Sequence, residues 1–533
     1  MKWKNRMSSK QVYILDTTLR DGQQSPGAGM SFEDNLQYAE LAHKLNIDIL
    51  EAGFPSASNT DFAIVNQISK NMAAINSPMR ISSLCQLREE QVIRTMEALQ
   101  PSLAIGKARI HIYVPVDPEL MAASLGKFAE DKPAIIATTY RLIKIMADAG
   151  FEVEFSPEGY SRQRENFDFV TDLIRNAISA GATTINCPDT IGGASQYQGE
   201  DYFVYKMAKH KQIMQEEFPD KDIIWSMHCH NDFGTALDNS LYGVFSGVAR
   251  QIEGCINGVG ERAGNVSLEQ CIMVIRQFGQ GAHLTDTYHT NINIAHLKET
   301  SDFIAERMLP RQPHSPVVGK NSASHTSGGH INAILKNPMA YQPFDPRDIG
   351  SEISFVFGPL SGSNHAQQII HKFKYRCDDN EKVVVTQAIK DFYADRRKGV
   401  TDEELLDAYK FYRSPIKLEH LTYAKEDGGK TRVTFHGEFF AEKDLVIDYQ
   451  GRGSALSALN KAVNNHLANT TVVDYNSHSK GSTVDALCVS SIIIDVNGIR
   501  YTGMAEDEDI EISALKAFID AVNNAHIETN YRI

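Results

Sequence analysis

The sequence predicts an α/β protein: a (β/α)₈ barrel, then a small linker subdomain, then a C-terminal duplicated α+β domain. Three observations predict this fold class. Short apolar runs alternate with amphipathic stretches along the first half of the chain, this rhythm breaks after about residue 276, and a strand–turn–helix pattern occurs twice near the C-terminus. A chain of 533 residues is long enough for about three such units.

The first half of the chain carries eight candidate strands, each followed by a helix pattern. In order they read "VYIL", "IDILEAG", "RISSLC", "ARIHIYV", "FEVEFS", "TTINC", "DIIWSMHC" and "RQIEGCI". The first helix, in "SFEDNLQYAELAHKLN", has Ser31 as a candidate cap and Asp34 at the capping-box position. Eight units favour a closed barrel at residues 12–290, after a tail at residues 1–11, and a doubly wound open sheet is the competing arrangement.

The stretch that follows the barrel has a different composition. "LPRQPHSPVVGKNSASHTSGGH" is rich in Pro, Gly, Ser and His, which indicates an ordered loop or small subdomain, although a linker has a similar composition. "TDEELLDAYKFY" predicts a short helix further on. We assign residues 291–415 to linker subdomains.

The C-terminal part repeats one pattern. "KTRVTFHGEFF" and "EKDLVIDYQGRG" precede the helix pattern "SALSALNKAVNNHL", and "TVDALCVSSIIIDVNGIRYTG" precedes "DIEISALKAFIDAVNNAH". This self-similarity predicts a duplicated α+β domain at residues 416–533, whose seam between the halves can bind a small molecule.

Composition limits the classes of function. A net charge of −14 argues against a nucleic-acid binder, because phosphate needs a basic surface. No run reaches membrane-spanning length and the N-terminus lacks the apolar core of a secretory signal, so we expect no membrane partner. Seven cysteines without a C-x-x-C pair fit buried thiols in a reducing compartment, and we predict a cytoplasmic protein.

Two histidines one residue apart end the seventh candidate strand, in "SMHCHND". Because strand side chains alternate, His228 and His230 share a face and can converge on one cation, although a lone H-x-H pair is more often structural. Asp21 ends the first strand, and Asn265 follows the eighth, which adjoins the first when a barrel closes. Two imidazoles, a carboxylate and an amide oxygen suit Mn²⁺ or Mg²⁺, with Zn²⁺ possible.

The segment "NGVGERAGN" also fits the dinucleotide-binding pattern G-x-G-x-x-A. That match is weak, because it occurs in the eighth unit and places Glu261 and Arg262 at the x-x positions. We interpret its glycines as shaping the loop that presents Asn265.

Three motifs together resemble a known family. "DTTLRDGQQSPG", "HCHNDFGTALDNS" and "NGVGERAGN" are similar to the signatures of the DRE-TIM metallolyase superfamily, in particular of the 2-isopropylmalate synthases. The resemblance runs from about Val12 to the C-terminus, and "EAGFPSAS" looks closer to this branch than to the homocitrate or citramalate synthases. The C-terminal segment resembles that family's leucine-sensing domain.

The resemblance implies roles for individual residues. Asp21, His228, His230 and Asn265 match the metal ligands; Arg20, Glu158, His325 and Tyr341 match catalytic residues; His111 and Thr190 match positions that contact the keto acid. Arg20 would stabilise negative charge on the thioester carbonyl of the acetyl donor. A salt bridge with Asp21 is the alternative for Arg20, but consecutive strand residues diverge. His325 and Tyr341 come from the linker subdomain, which in this family often reaches across a dimer.

The resemblance also implies an activity. It is the metal-dependent Claisen condensation of acetyl-CoA with 2-oxoisovalerate, followed by thioester hydrolysis, as the first committed step of leucine biosynthesis. A homodimer inhibited by leucine is expected, and we place effector contacts in "VVDYNSHSKGSTVDAL", at Asp474, Tyr475 and Asp485.

Three other functions stay open from the sequence. A sister synthase, homocitrate or citramalate synthase, would use 2-oxoglutarate or pyruvate on the same scaffold. The regulatory-like third domain and the segment from His325 to Tyr341 argue against an acyl-CoA carbon–carbon lyase, and the intact metal set argues against a non-catalytic amino-acid sensor. His210, His289 and His466 have no candidate partners in the sequence, and we expect them on the surface.

Overall fold

The computed structural model describes residues 9–396, 398–426, 429–450, 454–480 and 487–533. The chain forms two compact units, the first of Met1–Ala323 with Phe344–Glu352 and the second of Ser324–Pro343 with Ile353–Ile533. Residues of the predicted linker, 291–415, are therefore shared between the two units. Within the described ranges, no helix has the length and apolar character needed to cross a membrane.

The first unit contains a closed barrel. Over residues 9–290, all of which are described, β1 (Ser9–Gln11) precedes eight parallel strands that close on themselves: β2 (Tyr13–Asp16), β3 (Ile49–Glu51), β4 (Arg80–Gln86), β5 (Ala108–Pro115), β6 (Glu152–Glu158), β7 (Thr184–Asp189), β8 (Ile224–Cys229) and β9 (Gln251–Gly254). Closure is direct, because β2 pairs with both β3 and β9. The (β/α)₈ prediction is confirmed, with one strand in each predicted apolar run, and the open sheet is excluded.

Helices follow the strands in the expected alternation. They are α1 (Phe32–Lys44), α2 (Asn59–Ala74), α3 (Glu89–Ala104), α4 (Pro118–Leu125), α5 (Lys132–Asp148), α6 (Phe167–Ala180), α7 (Phe203–Glu217), α8 (Ala236–Phe245) and α9 (Leu268–Phe278). Helix α1 begins at the predicted capping box, in which Asp34 N donates to Ser31 Oγ at 3.1 Å. Two further elements also belong to this unit, namely β10 (Thr287–His289), which pairs with β1, and α10 (Leu297–Arg307).

The barrel interior carries charge as well as apolar side chains. Arg109 on β5 is fully buried and donates to Glu154 on β6 at 2.9 Å and to Gln251 on β9 at 2.8 Å. Because buried charges are stable only when they are paired, this network fixes the side chains that face the barrel axis.

One sequence-based expectation was wrong here. His210 on α7 is fully buried: its Nδ1 lies 2.7 Å from Tyr160 Oη, its Nε2 lies 2.9 Å from Thr171 Oγ1, and its ring stacks on Phe167. The partners come from other elements of the fold, so local sequence gives no sign of them. The cysteine prediction is confirmed, since all seven cysteines fall within the described residues and are free and buried.

The second unit begins with short elements. β11 (Ser324–His325) pairs with β12 (Ser354–Phe355), and α11 (Gly328–Lys336) lies between them in the chain. α12 (Ser363–Lys372), α13 (Lys382–Phe392) and α14 (Asp402–Arg413) share a buried core. The predicted short helix is α14, which begins at a Thr401–Glu404 capping box.

The C-terminal duplication is confirmed by the structure. β13 (Ile416–Glu426), β14 (Lys430–Phe439) and β15 (Glu442–Gln450) form an antiparallel sheet followed by α15 (Ala455–Asn464). β16 (Thr470–Lys480), β17 (Leu487–Val496) and β18 (Ile499–Asp507) repeat that arrangement and lead into α16 (Ile510–Tyr531). Buried apolar residues of both halves form one core.

Candidate metal-dependent active site

The three charged or ionisable ligands predicted for a metal lie together at the mouth of the barrel. His228 is the penultimate residue of β8, His230 directly follows that strand, and the two ring centroids are 5.0 Å apart. Nε2 of His228 lies 3.7 Å from Oδ2 of Asp21, which follows β2. One ligand atom from each of Asp21, His228 and His230 lies within 4.8 Å of the other two, and all three residues are buried.

Asn265 reaches the same position from the loop after β9. Its Nδ2 donates to Asp21 Oδ1 at 2.9 Å, and its backbone forms a bridge with His230. Gly260 has φ +154°, and a Cβ there would lie 2.3 Å from Asn265 Nδ2. The space beside the amide therefore requires a glycine, which is the steric role that the sequence suggested for this loop.

The donor set fits a divalent cation. Three buried polar atoms of these candidate ligands have no hydrogen-bond partner among the described residues: Nδ1 of His228, Nδ1 of His230 and Oδ1 of Asn265. Burial lowers the pKa of each of the two histidines to about 4, so both imidazoles are neutral at neutral pH and have a lone pair to offer. A buried carboxylate, two neutral imidazoles and an amide oxygen form the mixed oxygen and nitrogen set that suits Mn²⁺, Mg²⁺ or Zn²⁺.

Arg20 contacts Asp21 directly. The expectation that these two side chains diverge was wrong, because both residues lie in a turn rather than in a strand, where both backbone N–H groups bond Thr17 O. Arg20 Nη1 is 2.5 Å from Asp21 Oδ2. Burial opposes ionisation of Asp21, but the guanidinium and the two imidazoles outweigh it and lower its pKa to about 2.

Two further carboxylates surround the Arg20 guanidinium. Nε donates to Glu51 Oε2 at 2.6 Å, and Nη2 donates to Glu253 Oε1 at 2.7 Å. Glu51 and Glu253 are fully buried on β3 and β9. The guanidinium has five N–H groups and these three carboxylates take one each, so two remain for a substrate oxygen.

A cavity of about 250 Å³ opens over these residues. Its lining includes seven of the sequence-predicted residues, namely Arg20, Asp21, His111, Glu158, Thr190, His228 and His230. Burial raises the pKa of Glu158, and the attraction of Arg20 for the charged carboxylate offsets this rise only in part. The cavity is small and largely polar, which suits a small polar substrate.

His111 is held on both sides. Its Nδ1 lies 2.7 Å from Glu51 Oε1, and its Nε2 lies 2.6 Å from Ser156 Oγ. Burial opposes its protonation, but Glu51 raises its pKa to about 9. A hydrogen bond from His111 to a substrate would have to replace one of these two contacts.

Loops after three neighbouring strands are joined beside the cavity. Arg262 Nε donates to Asp232 Oδ1 at 2.9 Å, and Arg262 Nη2 donates to the carbonyl oxygen of Thr190 at 2.7 Å. The hydroxyl of Thr190 accepts from Gly159 N at 2.9 Å and keeps its own proton to donate. In the sequence, Arg262 is only one position of a weak glycine motif. In the structure, its hydrogen bonds to Asp232 and to the Thr190 carbonyl give it a role in holding Thr190.

Comparisons with known proteins agree with this geometry. The family model described as HMGL-like matches residues 11–304, the homocitrate synthase post-HMGL domain-like model matches residues 317–398, and the LeuA allosteric (dimerisation) domain model matches residues 400–526. The chain is 32% identical over 541 residues to 2-isopropylmalate synthase of Aquifex aeolicus, covering 98% of each chain.

The chain belongs to the 2-isopropylmalate synthase family.

Other members of that family are equally similar along their whole length. The Afipia carboxidovorans protein is 33% identical over 524 residues, covering 96% of this chain and 95% of the relative. The Caulobacter protein is 32% identical over 521 residues, covering 96% and 94%. The resemblance stated from the three motifs is confirmed.

The residues predicted to complete catalysis lie in the second unit. His325 is on β11, and its Nε2 is 2.9 Å from Gln342 Nε2. Tyr341 does not stack on His325; its ring stacks on His330 with the centroids 4.0 Å apart, and His330 in turn is 6.2 Å from His325. His330 is therefore a second candidate base, and it stands in the same quoted stretch, "SASHTSGGH".

Two of the three predicted effector residues lie on β16. Tyr475 is 46% exposed, and its backbone N–H donates to Asp474 Oδ1 at 2.9 Å. Asp485 lies outside the described residues.

The sequence-based expectations did not include Glu253. The available signal was a single acidic residue within a predicted barrel strand, "RQIEGCI". Burial of such a residue costs several kcal/mol unless a cation or donor meets it, so an isolated Glu in a barrel strand indicates an internal charged partner.

Proposed function

We propose that this protein is a 2-isopropylmalate synthase that condenses acetyl-CoA with 2-oxoisovalerate and hydrolyses the thioester, at the start of leucine biosynthesis. The observation that carries the proposal is the cluster of Asp21, His228 and His230 beside the Arg20 guanidinium, in a chain that aligns over 98% of its length with a family member.

Asp21, His228, His230 and Asn265 would hold a divalent cation, with Mn²⁺ or Mg²⁺ preferred and Zn²⁺ possible. Bound there, the ion would polarise the ketone of the 2-keto acid as a Lewis acid. The unpartnered Nδ1 of His230 and Oδ1 of Asn265 support this assignment, since most buried polar atoms in proteins have partners.

Arg20 would stabilise the negative charge that develops on the thioester oxygen when acetyl-CoA loses a methyl proton. Its three carboxylate contacts fix the plane of the guanidinium, so no reorganisation is needed when that charge appears. Thr190, whose hydroxyl can still donate, and His111 would orient the keto acid.

The base that removes the methyl proton would come from the second unit. His325 is the residue we assign, with Glu158 tuning or orienting it and Tyr341 positioning water or donating a proton. The stacking of Tyr341 on His330 makes His330 the alternative base.

Leucine is the proposed effector, and the protein is proposed to act as a homodimer. Support comes from the LeuA allosteric (dimerisation) match at residues 400–526 and from the duplicated fold of β13–α16. Asp474, Tyr475 and Asp485 are the proposed effector contacts. A cytoplasmic location is proposed because all seven cysteines, each in the described part of the chain, are unpaired.

A sister synthase is the second candidate, favoured by the homocitrate synthase post-HMGL match at residues 317–398. One assay separates the candidates: purified protein, acetyl-CoA and Mn²⁺ are mixed with 2-oxoisovalerate, 2-oxoglutarate or pyruvate, and thiol release is followed. We expect the highest kcat/KM with 2-oxoisovalerate. Preference for another keto acid would identify a sister synthase, and no release with any of them would overturn the synthase proposal.

A further inference from the structure

Glu253 is placed between two parts of the site that have separate tasks. It is fully buried on β9, and its Oε1 is 2.7 Å from Arg20 Nη2 and 3.6 Å from His228 Nδ1. The other oxygen, Oε2, accepts from Asn186 Nδ2 at 2.7 Å. One carboxylate oxygen therefore faces both a proposed metal ligand and the proposed electrostatic catalyst.

The orientation of the His228 ring determines which of its nitrogens faces Glu253. Its Nε2 is the nitrogen 3.7 Å from Asp21, and its Nδ1 is the nitrogen that faces Glu253. A histidine that coordinates through Nε2 carries its proton on Nδ1, and metal-bound histidines almost always donate that proton to a carboxylate, a carbonyl or water. The 3.6 Å separation is too long for a hydrogen bond, and no described residue is bonded to Nδ1, so Glu253 is the acceptor within reach.

Glu253 is not better explained as a ligand of a second metal ion. Atoms of Glu51, His111 and Glu253 do lie within 4.8 Å of one another. The Arg20 guanidinium, however, already donates to both carboxylates, and His111 Nδ1 is 2.7 Å from Glu51. A fixed side-chain cation occupies the place that an ion would need.

We propose that Glu253 is a positioning residue: it fixes the Nε2-coordinating tautomer and ring angle of His228 and, through the same oxygen, the orientation of Arg20. The His228 part rests on the contacts of its ring and on the proposed metal site, whereas the Arg20 part rests on the proposed synthase function. Asn186 supports both by holding the second carboxylate oxygen.

The test uses Glu253→Gln in the full-length protein. The amide keeps the shape but removes the charge, and its NH₂ group would face either Arg20 or the Asn186 donor. We expect Mn²⁺ affinity of the metal-free protein, measured by electron paramagnetic resonance titration, to fall roughly 10- to 100-fold, as for other outer-shell partners of metal-bound histidines. At saturating Mn²⁺, we expect kcat to fall while KM for acetyl-CoA changes less than twofold.

Glu154→Gln is the matched control. Glu154 is also fully buried in a barrel strand and bonded to an arginine, but that arginine is Arg109 and not Arg20. Its Mn²⁺ affinity should match wild type within twofold. Equal losses in both variants would assign the effect to general disturbance of the barrel and overturn the proposal.

Asn186→Ala provides a second route if Glu253→Gln does not fold. It leaves the charges of Arg20 and Glu253 in place and frees one oxygen of Glu253 together with the hydroxyl of Ser156, so a smaller loss of Mn²⁺ affinity in the same direction is expected. Unchanged affinity in a folded Glu253→Gln protein, or in folded Asn186→Ala when Glu253→Gln is lost, would overturn the proposal.

Loss of the synthase function and loss of the Glu253 role would give different results. Wild-type protein that binds Mn²⁺ and releases no thiol would remove the synthase function, while a Glu253→Gln affinity loss would still support the His228 contact. An active wild type with unchanged Glu253→Gln affinity would remove the Glu253 role alone.

Discussion

Nε2 of His228 and Oδ2 of Asp21 lie 3.7 Å apart at the mouth of the barrel, although they come from its seventh and first strand–helix units. Closure of the barrel, in which β2 pairs with β9, makes this approach possible. The two residues are far apart in the sequence, so the pair depends on the fold.

His228→Ala should abolish turnover and weaken metal binding without unfolding the barrel. Loss of a direct ligand should cost more than the roughly 10- to 100-fold that an outer-shell change costs. Activity is measured after chelation and re-addition of Mn²⁺, with circular dichroism as the control for folding. Full activity in the reloaded variant would contradict the ligand assignment.

Gly260→Ala should weaken metal binding through Asn265. The new Cβ would lie 2.3 Å from Asn265 Nδ2, so the amide must move away from Asp21. Gly29→Ala is the control, since a Cβ at Gly29 meets no atom within 4 Å. If both variants bind Mn²⁺ as wild type does, the glycine has no part in presenting Asn265.

Substitution of the two linker histidines should identify the base. His325→Ala should lower kcat by roughly 10²- to 10⁴-fold if His325 removes the proton. Burial and the charge of His330 both lower the pKa of His325. His330→Ala should therefore raise that pKa and move the acid limb of the kcat profile to higher pH, because the base must be neutral. A larger loss in His330→Ala than in His325→Ala would reassign the base.

A protein ending at Ser414 should lose leucine inhibition, but it should also lose stability. Ile527 of α16 is buried in the core of α12–α14, and the Arg413 guanidinium lies 4.4 Å from the centre of the Tyr531 ring. Tyr475→Ala in the full-length chain is the cleaner test, since Tyr475 is 46% exposed. Inhibition is measured as the leucine concentration that halves thiol release, and a wild type indifferent to millimolar leucine would refute the sensor role.

His210 should make stability depend on pH. Burial lowers its pKa from 6.5 to about 4, so the unfolded chain binds a proton between these values and the folded chain does not. Its contribution is complete above pH 6.5 and is lost as the pH falls toward 4, by on the order of 3 kcal/mol. Urea unfolding of metal-free wild type and His210→Gln should diverge over this window, with exposed His283→Gln as control. Parallel curves would contradict the prediction.

Much of the fold follows from local sequence, and particular elements show why. The run "RQIEGCI" predicts β9, because successive side chains of a strand point to opposite faces of the sheet and so meet different surroundings. Ser31 and Asp34 predict the start of α1, because helix capping involves only neighbouring residues. The expectation for Arg20 and Asp21 failed because the last residues of "DTTLRD" form a turn, and strand periodicity does not specify where a strand stops.

The sequence alone determined the order of strands and helices, the closed eight-unit barrel, the C-terminal duplication and the motifs from which metal ligands could be named. Only the tertiary structure decided that Glu253 faces both Arg20 and His228, that His210 is buried, and that Tyr341 stacks on His330. The physical reason is the distance along the chain over which each interaction acts. Propensity, periodicity and capping act between residues close in the chain, whereas desolvation and charge pairing depend on which distant side chains the closed barrel and the packed helices bring together.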